Sequence, residues 1–322
     1  SQGCAARIWA EEAGPLQATL VSEIALRIPQ RGDAAHDRRS DATAELPIRT
    51  AVTLRAGAEQ VEVNVAFENR HEDHYLRAMF PTGLVKATHA DAGGHFHIDR
   101  RPIRPQGPSP DSVWPDMATL PHDRFVDVND GRVGLALLTE GLTEYEVVDT
   151  PERTLALSLL RACKVWLCTE TRVGSDHPSQ KGGQAFGEHR IRYALRPHAG
   201  DSLSAGIPQA ADCFNAGLRI VQTRRHEGTL PKNAAALFQL DNPVLRFSTL
   251  KKAEDRDTFV VRLYNPAAKQ QKGRIYLAAG IKRAWRTNLN EERIRELKPT
   301  KGHWLAVTAS AHRIVTIEVE TR

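Results

Sequence analysis

The chain holds 322 residues, with 44 Lys and Arg against 39 Asp and Glu for a formal charge of +5, and 41 % of it is hydrophobic. That balance is globular rather than disordered or collagenous. A charge this small, carried on short clusters such as Arg38-Arg39 and Arg224-Arg225, argues against nucleic acid as a partner, and no apolar run approaches the roughly 18 residues of a membrane helix, so no membrane partner is expected.

In chain order, the dominant signal is period-two alternation, which puts one strand face on a core and the other in water. Gly57-Ala58 separates a strand at 52–54 from one at 61–67, where Val61, Val63, Val65 and Phe67 alternate with polar neighbours. His71-Glu72-Asp73-His74 follows as a turn bonding its own backbone. Residues 101–121 hold six prolines and read as a surface connection, because proline lacks the ladder N–H. Asn129-Asp130-Gly131 joins strands at 125–128 and 133–138 as a hairpin. Alternation returns at Leu155, Leu157 and Leu159, at Ile191, Tyr193 and Leu195, at Phe259, Val261 and Leu263, and at Val315, Ile317 and Val319. A long loop is expected over 172–187, a linker over 222–231, and short helices over 210–217 and 291–297. One-sided alternation suits antiparallel sheets, so the fold class expected is all-β sandwich, dividing near 222–243.

Chemistry is harder to find. The chain lacks a Gly-x-Ser-x-Gly elbow, a phosphate-binding loop and a His-Glu-x-x-His pair. His71 and His74 are one residue short of a helical turn apart. His95, His97 and Asp99 would share one strand face, which suits either three metal ligands or a wet face opposite Phe96 and Ile98. Cys163 and Cys168 have no second pair nearby and read as plain thiols. The glycines of Lys181-Gly182-Gly183-Gln184-Ala185-Phe186-Gly187 precede a strand, not a helix, so a dinucleotide site does not fit and a close backbone approach does. Glu144 and Glu146 share a strand face. No catalytic constellation is expected in this chain. Four cysteines, no Asn-x-Ser/Thr acceptor and no signal-peptide pattern at the start point to a cytoplasmic location.

A set of segments, in order, resembles a known family. They are residues 69–77 (Asn-Arg-His-Glu-Asp-His-Tyr-Leu-Arg), 125–128, 134–146 with Glu140-Gly141-Leu142-Thr143-Glu144-Tyr145-Glu146, 155–161, 184–189, 193–201, 250–255, 260–266 with Arg262-Leu263-Tyr264-Asn265-Pro266, and 288–291. Together they resemble the C-terminal half of glycoside hydrolase family 38, the α-mannosidases, over roughly 14–320. The resemblance implies a large antiparallel supersandwich, galactose mutarotase-like, at 1–225, followed by a small C-terminal β-sandwich at 234–322. It also implies retaining hydrolysis of α-mannosidic bonds, with zinc and a nucleophilic aspartate in a catalytic N-terminal portion of the same polypeptide. None of those segments is present here, and no residue of this chain matches the nucleophile or the zinc ligands. The expected role is an accessory one, packing on the catalytic portion and helping to shape its cleft for a mannose-containing carbohydrate. The candidate contacts are Asp73, His74 and Arg77 on one loop and Gln184, Glu188 and His189 beyond the glycines. A homo-oligomer is left open. The alternative is a stand-alone carbohydrate-binding or mutarotase-like module, which would show exposed aromatics (Trp114 is the first candidate) or a converging acid–base pair.

Overall fold

The structure is a computed structural model that describes residues 3–33, 38–104, 117–164, 166–168, 174–176, 181–224, 226–228 and 236–322. Trp114 and much of the loops expected over 101–121 and 172–187 lie outside the described residues. The fold is all-β. Its strands form antiparallel sheets, and the chain separates into two compact units, Ser1–Ala92 with Arg100–Ile207, and Gly93–Asp99 with Pro208–Arg322. The linker expected over 222–231 falls partly on residues outside the described ones.

The first unit is built from β1 (Ala6–Ala13), β2 (Gln17–Pro29), the short pair β3 (Gly32–Asp33) and β4 (Arg38–Arg39), β5 (Thr43–Arg55), β6 (Val61–Asn69), β7 (His74–Pro81), β8 (His89–Gly94) up to Ala92 and β9 (His97–Pro102) from Arg100 onward. It continues through β10 (Leu120–Pro121), β11 (Phe125–Asn129), β12 (Val133–Glu140), β13 (Glu144–Val148), β14 (Thr154–Ala162), β15 (Trp166–Cys168), β16 (Gly174–Asp176) and β17 (Gly187–Ala199). A nine-stranded sheet runs β1-β2-β5-β6-β17-β12-β11-β8-β9, and a four-stranded sheet runs β10-β13-β14-β7. Val63, Val65 and Phe67 of β6, Ile191 and Tyr193 of β17, and Val126 and Val128 of β11 share a core with Tyr145, Leu155 and Leu157. These are the alternating positions of the sequence. Each such side chain contributes about 1.5–3 kcal/mol when fully buried. The Asn129-Asp130-Gly131 hairpin forms as expected, with Gly131 at φ +82°.

The second unit contains α1 (Ile207–Ala216) from Pro208 onward, then β18 (Phe238–Leu240), β19 (Arg246–Lys252), β20 (Phe259–Tyr264), β21 (Gln271–Leu277), β22 (Ile281–Thr287), β23 (Arg293–Leu297), β24 (Trp304–Ala309) and β25 (Ile314–Thr321). Its sheets are β18-β21-β24 and β19-β20-β25-β22-β23, around Val261, Leu263, Ile275, Leu305 and Ile317. The fully buried Asn265 explains the Arg262–Pro266 segment: its amide donates to the carbonyls of Lys269, Ala309 and Ser310.

Two expectations are corrected here. The helix expected over 291–297 is an edge strand, β23, paired with β22. Ile294 and Leu297 have helical spacing, but ladder pairing overrides so weak a local preference. Phe96 and Ile98 do not lie together on a core face. Phe96 sits in the turn between β8 and β9 at φ +61° and is exposed, with its ring 5.6 Å from that of Tyr264.

Candidate functional site

Three of the six candidates meet at one junction of loops. Asn69 ends β6, and its side chain reaches across to the glycine-rich loop, where Nδ2 donates to Gln184 O at 2.8 Å and Ala185 O at 3.2 Å. Its Oδ1 accepts the His71 amide at 3.0 Å, forming the turn expected at 71–74. Asp73 has φ +54°, a conformation that Asp tolerates better than most residues. Its amide donates to Gln184 Oε1, and its Oδ1 accepts from Gln184 Nε2, both at 2.8 Å. Its Oδ2 accepts from the Gly32 amide at 3.1 Å. Lys181 pairs with Glu72 at 3.0 Å. Gln184 is 2 % exposed, so its side chain is committed to holding the two loops together.

His74 is buried beside this clasp, and neither ring nitrogen has a hydrogen-bond partner. Burial, with the Arg39 and His71 charges, pushes its pKa below the ordinary histidine value. The His71 ring lies edge-on, 6.3 Å away centre to centre.

The other candidates point elsewhere. Arg77 lies on the outward face of β7, paired with Glu146 at 2.5 Å and set over the Tyr75 ring. Glu144 pairs with Arg161 at 2.8 Å on the same face. Glu188 and His189 are consecutive on β17 and so point to opposite faces. His189 stacks on Phe67 at 5.0 Å and donates Nε2 to Ala185 O at 2.8 Å. Glu188 is exposed on the outward face of the nine-stranded sheet. The structure therefore brings Asp73, His74 and Gln184 together and leaves Arg77 and Glu188 on different sheets.

Sequence reasoning missed a second buried array. Asp91 and Asp127 stand directly opposite each other on β8 and β11. His198 Nε2 donates to Asp127 Oδ1 at 2.8 Å, Asn129 Nδ2 donates to Asp127 Oδ2 at 2.6 Å, and Ser202 Oγ donates to Asp91 Oδ2 at 2.8 Å. Burial opposes the charged imidazole, but the bond and charge of Asp127 outweigh it and hold His198 above its ordinary value. The only sequence sign was that both residues fall within the family-like segments. Asp127 is fully buried, which makes this an internal ion pair and not an open acid–base pair. His97 and Asp99 approach to 3.4 Å. Among the described residues, no three His, Cys, Asp or Glu side chains are grouped so that they could hold a metal ion.

The fold is a pair of compact antiparallel β units, and comparison with known proteins gives its family. Residues 6–165 match the family model "Glycosyl hydrolases family 38 C-terminal domain", and residues 245–317 match "Glycosyl hydrolases family 38 C-terminal beta sandwich domain". The chain belongs to glycoside hydrolase family 38 and corresponds to its C-terminal domains. It is 30 % identical over 286 residues to a Halalkalibacterium halodurans protein named "Putative mannosylglycerate hydrolase", covering 88 % of this chain and 29 % of that one. It is 29 % identical over 200 residues to mouse "Alpha-mannosidase 2C1", covering 60 % of this chain and 17 % of the other. An α-mannosidase structure from Enterococcus faecalis V583 superposes with a TM-score of 0.82 over 99 % of this chain and 35 % of its own, at 23 % identity. The chain thus spans less than a third of the length of the curated relatives it matches.

Proposed function

We propose that this chain is the accessory C-terminal portion of a retaining, zinc-dependent α-mannosidase, with a large supersandwich at 1–225 and a small sandwich at 234–322. It packs on the catalytic N-terminal portion of the same polypeptide and helps shape the cleft for a mannose-containing carbohydrate. The observation that carries this reading is the share of its relatives that the chain spans, 29 % of the Halalkalibacterium protein. Among the described residues no group of His, Cys, Asp or Glu fits the zinc that the family role implies, and in this reading its ligands lie in the catalytic portion. Sparse cysteines and the lack of glycosylation acceptors support a cytoplasmic setting.

The chain's own contribution in this reading is positional. Loops fixed on a rigid sheet hold contact groups within the tolerance that a cleft requires. The Asp73–Gln184 clasp fixes the loop that leads into Arg77 and the loop that leads into Glu188. Asp73, His74, Arg77, Gln184, Glu188 and His189 remain the proposed contact or bracing residues. Light scattering after size exclusion tests the docking: the chain mixed with the catalytic portion should elute as one complex, and two separate peaks would contradict the proposal.

A second reading, a carbohydrate-binding module, is favoured by one observation, the groove described next.

A further inference from the structure

The outward face of the nine-stranded sheet carries a groove of about 780 Å³ across β1, β2, β5, β6 and β17. Its size lies in the range of small-molecule sites. The strand register shows how it is built. Arg49, Ala66 and Arg190 are opposite one another on β5, β6 and β17. Two guanidinium-bearing strands therefore stand roughly 9–10 Å apart, with only a methyl group between them. In the next outward row, Glu68 is opposite Glu188.

Like charges placed directly opposite are destabilising. Each carboxylate is relieved by a guanidinium two residues further along the chain, Glu68 by Arg70 just past the end of β6 at 2.6 Å and Glu188 by Arg190 on β17 at 3.9 Å. Arg49 is braced by Glu11 at 2.5 Å. Arg7 and Glu23 extend the same row, with Glu23 opposite Arg49, so the groove offers interleaved carboxylate acceptors and guanidinium donors around a small-residue floor. An anion would meet Glu23, Glu68 and Glu188, and a cation would meet Arg7, Arg49 and Arg190. A neutral polyhydroxylated ring meets neither penalty: its vicinal hydroxyls donate to the carboxylates and accept from the guanidiniums, while its C–H face rests on Ala66.

We propose that this groove, walled by Arg49, Glu68, Glu188 and Arg190 over Ala66, is a saccharide-binding site of the chain itself. The choice of a mannoside as ligand rests on the proposed family role; the preference for a neutral sugar rests on the groove.

Saturation-transfer NMR and calorimetry on the intact chain test it, with methyl α-mannoside and an α-mannobiose as probes and inorganic phosphate and calcium as controls. We expect a millimolar dissociation constant for the sugars and none for the controls. Ala66→Trp, which fills the floor, should weaken sugar binding at least ten-fold while leaving the melting temperature within a few degrees. Should that variant fail to fold, the Glu68→Gln/Glu188→Gln pair decides, with the same loss expected. Absence of sugar binding by the folded chain, binding unchanged in these variants, or phosphate or calcium binding at the groove would each overturn the site. The elution test of docking is unaffected by any of these results, so the two proposals fail separately.

Discussion

Asp73 and Gln184, 111 residues apart, hold each other through two hydrogen bonds of 2.8 Å, one from the Asp73 amide and one to its carboxylate. The pair ties the β6–β7 turn to the loop preceding β17. Because Gln184 is buried, truncating it leaves the Asp73 amide and carboxylate without their partner.

Gln184→Ala should therefore destabilise the first unit by about 2–4 kcal/mol, since one bond involves a charged group and one buried donor is orphaned. Urea unfolding measures this. Amide exchange at Asp73 should accelerate with it, which a merely global loss would not single out.

The Asp127–His198 pair predicts the opposite pH behaviour from most of the molecule. The folded-state pKa of His198 lies above its unfolded value. The stability it contributes is complete below the unfolded value of about 6.5 and is lost as pH rises through the folded one. Asp127→Asn should lower the His198 pKa, read directly by NMR titration, and should cost more stability at pH 5.5 than at pH 8.

Gly134 sits where a side chain cannot. A Cβ there would stand 2.5 Å from the His198 ring and 2.8 Å from Asn129 Cβ. Gly134→Ala should cost about 1–3 kcal/mol in thermal melts by pushing those groups from their places, and it should disturb the His198 titration as well.

His122 and His74 set the acid limit. Burial, aided by the Arg101 charge, pushes His122 down to about 4, and its Nδ1 is buried without a partner while Nε2 meets Thr139 Oγ1 at 3.0 Å. Both histidines are depressed, so their contribution is intact above pH 6.5 and declines as pH falls below it, for His122 down to about 4. For His122 it is on the order of 3 kcal/mol. Melting temperature against pH should fall across this window, and His122→Phe should flatten the fall.

In the second unit, Glu318 is fully buried and receives Arg256, Arg293 and Thr258. Burial would raise its pKa, but the bonds from Arg293, Thr258 and Arg256 prevail and hold it at about 2. Its contribution is complete above pH 4.5 and declines as pH falls from there towards about 2. Glu318→Gln strands two guanidiniums beside a neutral amide and should cost about 3 kcal/mol or more, measured by denaturant unfolding at pH 7.

The strands were legible because burial imposes period two on them: Val63, Val65 and Phe67, or Val315, Ile317 and Val319, could face a core in no other way. The β11–β12 hairpin was legible because Gly131 supplies its positive φ. The strand at 293–297 was not, because it is an exposed edge whose form is set by its partner β22 and by Arg293 reaching Glu318. The sites were less legible still. The family-like segments turn out to be contacts between distant stretches: 69–77 with 184–189 through Asp73 and Gln184, 125–128 with 193–201 through Asp127 and His198, and 250–255 with 288–291 through Lys251 and Glu291 at 2.8 Å. Those pairings are long-range, and one sequence carries no distance between its segments. The groove was hidden for a similar reason. Arg49, Ala66 and Arg190 become neighbours only through register.

The most direct test of the central claim is hydrolysis of a chromogenic α-mannoside, with zinc, by this chain alone, by the catalytic portion of the same polypeptide alone, and by the two together. The account predicts no turnover by the chain, and turnover by the mixture well above that of the catalytic portion. Turnover by the chain alone, or a mixture no more active than the catalytic portion by itself, would contradict it.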